Sequence, residues 1–239
     1  MHSEGAKMKN TEKNDLQKKT SDEIQLILAS ASPRRLMLLA QIGIEPDEVY
    51  ATNSDETPKL REHPANLAKR LAKEKALNVQ SFLLLGDQKK SDQKKNEKAT
   101  KQKVVILAAD TVVAVGRTVL PKPEDEDEAY ECLKFLSGRA HKVYGAVCAL
   151  NETGKITVKL VESRVRFRLL TSQIMQAYLA SGEWQGKAGG YAIQGKAGAF
   201  VIHINGSYSN VVGLPLAETI DLLSAYRYPV LANWTGEMP

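Results

Sequence analysis

Cysteine is scarce in this chain: there are two in 239 residues, Cys132 and Cys148, and they make no metal or redox spacing. Both fall in apolar-periodic segments and read as reduced core thiols of a cytoplasmic protein. Long hydrophobic runs are missing too. No window approaches the ~18 consecutive apolar residues of a membrane span. The N-terminal stretch has no apolar core of the secretory kind, and residues 1–23 hold five acids and no arginine, which argues against a mitochondrial transit peptide. Without a secretory context, the Asn-X-Ser/Thr triplets at Asn151, Asn205 and Asn233 carry no message. Residues 1–23 also lack aromatics and, past Met1, hold only Met8 and Leu16 as large apolar side chains, so a disordered extension is expected there.

What is present is an ordinary globular composition, 43% hydrophobic and 26% charged. The net charge of +5 suggests a polyanionic partner until its location is traced. Residues 86–103 (GDQKKSDQKKNEKATKQK) hold seven lysines against three acids, while residues 1–23 balance to zero. The rest of the chain carries 21 basic and 20 acidic groups. The basicity therefore belongs to one polar, low-complexity insert that reads as a solvated surface loop. Neither a nucleic-acid nor a membrane partner is expected.

Ordered structure begins at Ile24 with the apolar run IQLILA, followed by Ser30-Ala31-Ser32-Pro33-Arg34-Arg35 and then Leu36-Met37-Leu38-Leu39. Ser32 suits a helix N-cap and Pro33 the first helical position, so the pattern is strand, tight turn, helix. Pro64 opens a second helix, expected to run to about Gln80. Lys103–Val115 (KVVILAADTVVAV) is a near-continuous apolar run of the kind buried on both faces of a sheet. The acidic run Glu124–Glu128 opens a helix with Ala129, Cys132, Leu133 and Leu136 on one stripe, the acids complementing the helix dipole. Strands near 141–150 and 156–169, a helix capped at Thr171 or Ser172 and ending at Gly182, and a last helix from about Pro215 to Tyr226 complete the chain. Strands interleave with helices: the class is α/β with a mixed sheet.

Four places hold residues that invite chemistry. At the first turn, Ser30, Ser32, Arg34 and Arg35 surround a helix N-terminus. Arginines there oppose the helix dipole, an arrangement that makes sense around a phosphate or as a cap whose arginines face water. Asp110, beside Thr111, is a carboxylate inside an apolar strand, costly unless paired, hydrogen-bonded or metal-bound. Lys75 interrupts the helical stripe Leu67–Leu71–Val79, and on spacing alone it reads as a side chain that snorkels to the surface. Lys122 lies between Pro121 and Pro123, which aim one cation. Asp55-Glu56 alone would be an ordinary acidic turn. The segment Gly190–Ala197 comes close to a P-loop, but Ala197 lacks the required hydroxyl and a strand, Ala199–Ile202, follows where a helix belongs. His141 and His203 have no partner at ligand spacing and read as structural.

Taken together, LASASPRR (28–35), Asp55-Glu56, LAKEK (71–75), Ala109-Asp110-Thr111, Lys122-Pro123, GKAGGYAIQG (186–195) and GSYSNVVGLPL (206–216) resemble the Maf family of nucleoside triphosphate pyrophosphatases. The resemblance spans about Ile24 to Tyr226, broken mainly by the insert. It implies a single domain over residues 24–231, with 232–239 as a tail, and an inosine triphosphate pyrophosphatase-like fold of two lobes around a cleft. It also implies hydrolysis of a nucleoside triphosphate to the monophosphate and pyrophosphate. Asp110 would be the base, and Ser30, Ser32, Arg34, Arg35, Lys75 and Lys122 the phosphate ligands. Glu56 and Asp110 would hold a divalent cation, Mg²⁺ or Mn²⁺. Arg34, Thr111 and Gln194 match positions linked to specificity and resemble the subgroup acting on dTTP and UTP. A 7-methyl-GTP pyrophosphatase, a non-catalytic nucleotide sensor in cell division, and a homodimer stay open.

Overall fold

The computed structural model describes residues 24–52, 55–91 and 103–235. The extension 1–23 and most of the insert, residues 92–102, lie outside the described residues. The strands are β1 (Gln25–Ala29), β2 (Glu48–Val49), β3 (Val104–Val115), β4 (Thr118–Leu120), β5 (Ala140–Asn151), β6 (Ile156–Phe167) and β7 (Val201–Asn205). They form one sheet in the order β2-β1-β3-β5-β6-β7, with β4 paired to β3. β1 runs parallel to β2 and β3, and every other pairing is antiparallel, so the sheet is mixed as expected. The helices are α1 (Pro33–Gln41), α2 (Pro64–Ser91), α3 (Glu126–Leu136), α4 (Ser172–Leu179), α5 (Tyr208–Val212), α6 (Leu216–Ala225) and α7 (Ala232–Thr235).

The apolar run of β3 divides by parity between two cores. Ile106, Ala108, Val112 and Ala114 face α2, whose stripe of Leu67, Leu71, Ala72, Ala76 and Val79 covers them. Val105, Leu107, Ala109 and Val113 face the second core, to which α1, α3, α4 and α6 contribute Leu39, Leu133, Met175 and Leu222. With both faces covered, no alternation of polar residues is needed along the strand. A residue of α2-facing parity at the middle of β3 therefore meets the middle of α2, which is where Asp110 and Lys75 stand.

Three elements differ from expectation. α2 continues to Ser91 instead of ending near Gln80. Residues Phe82–Leu85 are tolerable helix formers, Leu83 packs against the core, and one glycine at 86 costs only about 1 kcal/mol. α5 escaped notice because it is five residues long, yet Ser207 caps it by accepting from Asn210 N. Residues 232–239, expected to be a tail, include α7, where Trp234 Nε1 donates to Ile42 O at 2.6 Å. Among the described residues, no helix is long and apolar enough to cross a membrane.

Candidate active site

The turn after β1 opens at the carboxyl edge of the parallel strands, the usual place for a ligand crevice in such sheets. Ser32 sits at the N-cap of α1 with extended backbone angles and Pro33 follows at the first helical position, but the Ser32 hydroxyl makes no capping bond. Arg35 points inward and is 9% exposed. Its Nε donates to Gly213 O at 2.9 Å, Nη1 to Ser30 Oγ at 2.9 Å and Nη2 to Thr111 Oγ1 at 3.4 Å. Arg35 thereby ties together β1, β3 and the end of α5. Burial lowers its pKa, while the charges of Asp110 and Glu56 pull it back up.

Asp110 pairs in the sheet with Ala146 and is 3% exposed; Lys75 is 5% exposed. Lys75 Nζ donates to Asp110 Oδ1 at 2.5 Å and to Glu56 Oε1 at 3.0 Å. Glu56 Oε2 in turn accepts from Lys122 Nζ. Burial pushes the Glu56 carboxyl up, but the hydrogen bonds and charges of Lys122 and Lys75 outweigh it and hold the group below the ordinary carboxylate value. Two buried or half-buried carboxylates and two lysines thus form one chain, Asp110–Lys75–Glu56–Lys122. Such a chain is retained at a desolvation cost, and removing one member leaves a buried charge unpaired.

The facing wall comes from the glycine-rich segment. Gly189 and Gly190 have φ of 69° and 68°, and Gly189 N donates to Pro121 O at 2.8 Å. A Cβ on Gly189 would lie 3.0 Å from Val113 Cγ1, and one on Gly190 3.2 Å from Pro123 Cγ. Glycine is required here twice over, for the left-handed backbone and for the close approach to the Pro121-Lys122-Pro123 strap. This packing carries Lys187 and Tyr191 into the cleft. Beneath Tyr191, His141 is buried in contact with Phe167, and its Nε2 lies 2.8 Å from Tyr191 Oη. Burial lowers the imidazole pKa to about 4, so it is neutral and structural, as expected.

The resulting cleft measures about 500 Å³. It is lined by Ser32, Arg34, Arg35, Lys75, Asp110, Thr111, Lys122 and Gln194, all anticipated from the sequence, and also by Lys187 and Tyr191. Two anticipated residues stand just behind the lining: Ser30, whose hydroxyl holds Arg35, and Glu56, which bridges Lys75 and Lys122. Lys187 was not singled out, although a lysine within a glycine-rich turn was the available signal. The rejected P-loop is indeed none: Lys196 pairs with Glu183 at 2.7 Å, and a 3-10 turn over Lys196–Phe200, not an α-helix, leads into β7, which starts at Val201 rather than at the expected Ala199. Both cysteines are buried and free, their thiols pushed up to about 11 and 12, chiefly by burial.

Among the described residues no group of three or more His, Cys, Asp or Glu side chains gathers around a metal position. The donor set available is the carboxylate pair Glu56 and Asp110, held to one ammonium group. That set fits a hard ion of the Mg²⁺ kind, which takes one or two carboxylates and completes its shell with water and substrate phosphate.

A family model described as Maf-like protein matches residues 25–226. The chain belongs to the Maf family. Similar curated proteins carry the name dTTP/UTP pyrophosphatase. That of Bartonella henselae is 75% identical over 225 residues, covering 94% of this chain and 95% of its own. That of Brucella abortus is 53% identical over 215 residues, covering 90% and 98%. That of Mesorhizobium japonicum is 50% identical over the same coverage, 90% and 98%. A nucleoside-triphosphatase / dITP/XTP pyrophosphatase from Mycobacterium abscessus overlaps 88% of this Maf chain and 97% of its own, with a TM-score of 0.36 and 14% identity. That overlap is too loose to carry an argument.

Proposed function

We propose that this Maf protein hydrolyses dTTP and UTP between the α- and β-phosphates, releasing the monophosphate and pyrophosphate. The observation that carries this reading is the Asp110–Lys75 pair on one wall of a cleft whose other walls are a helix N-terminus and unpaired cations. A buried carboxylate held at 2.5 Å from an ammonium group is fixed in place and available to take a proton from an attacking water. Phosphoryl transfer asks mainly for alignment and charge neutralisation. Lys75 and Lys122 supply the neutralisation next to Asp110, where charge builds on the α-phosphate oxygens. The Mg²⁺ or Mn²⁺ ion, held by Glu56 and Asp110, would add Lewis-acid neutralisation of phosphate oxygens when bound. Arg35, hydrogen-bonded through each of its three nitrogens to Gly213, Ser30 and Thr111, positions the wall of the site and presents Thr111. The Gln194 amide, which can donate and accept, and the Thr111 hydroxyl are placed to read a pyrimidine edge.

The names of the relatives support dTTP and UTP over 7-methyl-GTP. The reduced, buried thiols agree with a cytoplasmic enzyme, and we expect neither a nucleic-acid nor a membrane partner; a homodimer fits the reading equally well. Turnover is tested by pyrophosphate release from dTTP, UTP, CTP and 7-methyl-GTP with Mg²⁺ or Mn²⁺. Release from dTTP and UTP at rates well above the others supports the proposal. A protein inert on every nucleotide would instead be a sensor.

A further inference from the structure

The cations of the cleft are not equivalent. Lys75 and Lys122 share Glu56 and Asp110, and Arg35 gives three of its five N–H donors, one from each nitrogen, to protein oxygens. Arg34 and Lys187 have no such acceptors. Among the described residues Arg34 makes no hydrogen bond or ion pair, and its Nε is buried without a partner. Lys187 is half-buried and donates only to the neutral Gln185 O, at 2.7 Å. The nearby acid Glu183 is committed to Lys196 through two contacts at 2.7 Å. Burial lowers the pKa of both groups. At Arg34 it is joined by the charge of Arg35, and at Lys187 by that of Arg34, with smaller opposing pulls from Tyr178 and Glu183 respectively. Two like charges lining one cleft, neither hydrogen-bonded nor ion-paired to a carboxylate among the described residues, are a site for an anion. A pyrimidine base is neutral near pH 7, so the anion is the phosphate tail.

We propose that Lys187 and Arg34 together dock the distal phosphates of the substrate, the part that leaves as pyrophosphate. This deepens the pyrophosphatase reading and rests on it. The cleft then has a direction: the α-phosphate lies at Asp110, and the β- and γ-phosphates lie between the N-terminus of α1 and the glycine-rich turn. Both sides of that cradle are built in, by the open cap at Ser32 and by the Gly189-Gly190 turn that positions Lys187.

The test uses the full chain and two probes, inorganic pyrophosphate and thymidine, with binding read by calorimetry and dTTP turnover read separately. Lys187→Gln is expected to weaken pyrophosphate binding about tenfold or more, the loss of one charge-assisted hydrogen bond, with KM for dTTP rising in parallel. Lys187→Arg recovers most of the loss, and thymidine affinity is unaltered in both variants. Melting curves matching wild type confirm that the variants are folded. Pyrophosphate binding at wild-type affinity in Lys187→Gln overturns the inference while leaving the pyrophosphatase reading intact. Loss of thymidine binding instead of pyrophosphate binding overturns it in favour of a base contact. A wild-type protein that binds pyrophosphate and turns over no triphosphate overturns the reading on which the assignment to a leaving group rests.

Discussion

The two ends of the cleft are built from the same kinds of side chain and hold them in opposite ways. At the Asp110 end every charge has a partner: two carboxylates and two lysines alternate, and the central pair is almost fully buried. At the Arg34 end two half-buried cations line the cleft without a hydrogen bond or ion pair to a carboxylate among the described residues. The paired end is fixed before substrate arrives, which is what general-base chemistry requires. The unpaired end is complete only with an anion in it. The difference separates the work of reacting from the work of capturing.

Substitutions that break this division should differ in kind as well as size. The largest effect belongs to Asp110→Asn. It keeps an acceptor for Lys75 and removes the base together with one of the two carboxylates that would hold the metal ion, so kcat should fall by at least roughly 10²–10⁴-fold in a pyrophosphate-release assay, with the fold intact. Lys75→Met should be severe in a second way. It leaves the Asp110 carboxylate buried without its ammonium partner, and urea unfolding at neutral pH should show a loss of about 3 kcal/mol.

Acid should loosen the floor beneath the unpaired end. His141 has a folded pKa near 4 against an ordinary value of 6.5, so the unfolded chain binds the proton more readily between those values. Its contribution to stability is complete above about pH 6.5 and is lost as pH falls toward 4, an effect of about 3 kcal/mol at most. A His141→Phe variant should flatten that stretch of a pH–stability curve; an unchanged slope would place the acid sensitivity elsewhere. The smallest effect is expected from Arg34→Gln without nucleotide. Removing a desolvated charge beside Arg35 and Lys187 should leave the unfolding free energy unchanged or raise it by less than about 1 kcal/mol, whereas adding pyrophosphate should stabilise wild type more than the variant in a melting curve.

Much of this arrangement was legible in the sequence because it breaks local rules. An aspartate inside VVILAADTVVAV looked costly alone, whereas the lysine on an apolar helical stripe read as one that snorkels to the surface, and the structure buries it instead. The fold resolves both by placing them 2.5 Å apart, with the register of β3 against α2 doing the matching. What sequence spacing hid was the difference between neighbours. Arg34 and Arg35 read as a matched pair of phosphate ligands, yet one is tied to Gly213, a residue 178 positions away, and the other makes no hydrogen bond among the described residues. Ser30 was hidden in the same way, as a support for Arg35. Gly145 and Asn210 show the limit most plainly. Asn210 is fully buried and donates to Val143 O and Ser163 Oγ, and a Cβ at Gly145 would collide with its side chain. Only the packing of α5 on β5 reveals why either residue is there.

The measurement that bears most directly on the division between the two ends is a steady-state comparison of Asp110→Asn and Arg34→Gln on dTTP. The account predicts a kcat loss with KM nearly kept in the first and a KM increase with kcat nearly kept in the second. Equal losses of kcat in both variants, with KM unchanged in each, would contradict it.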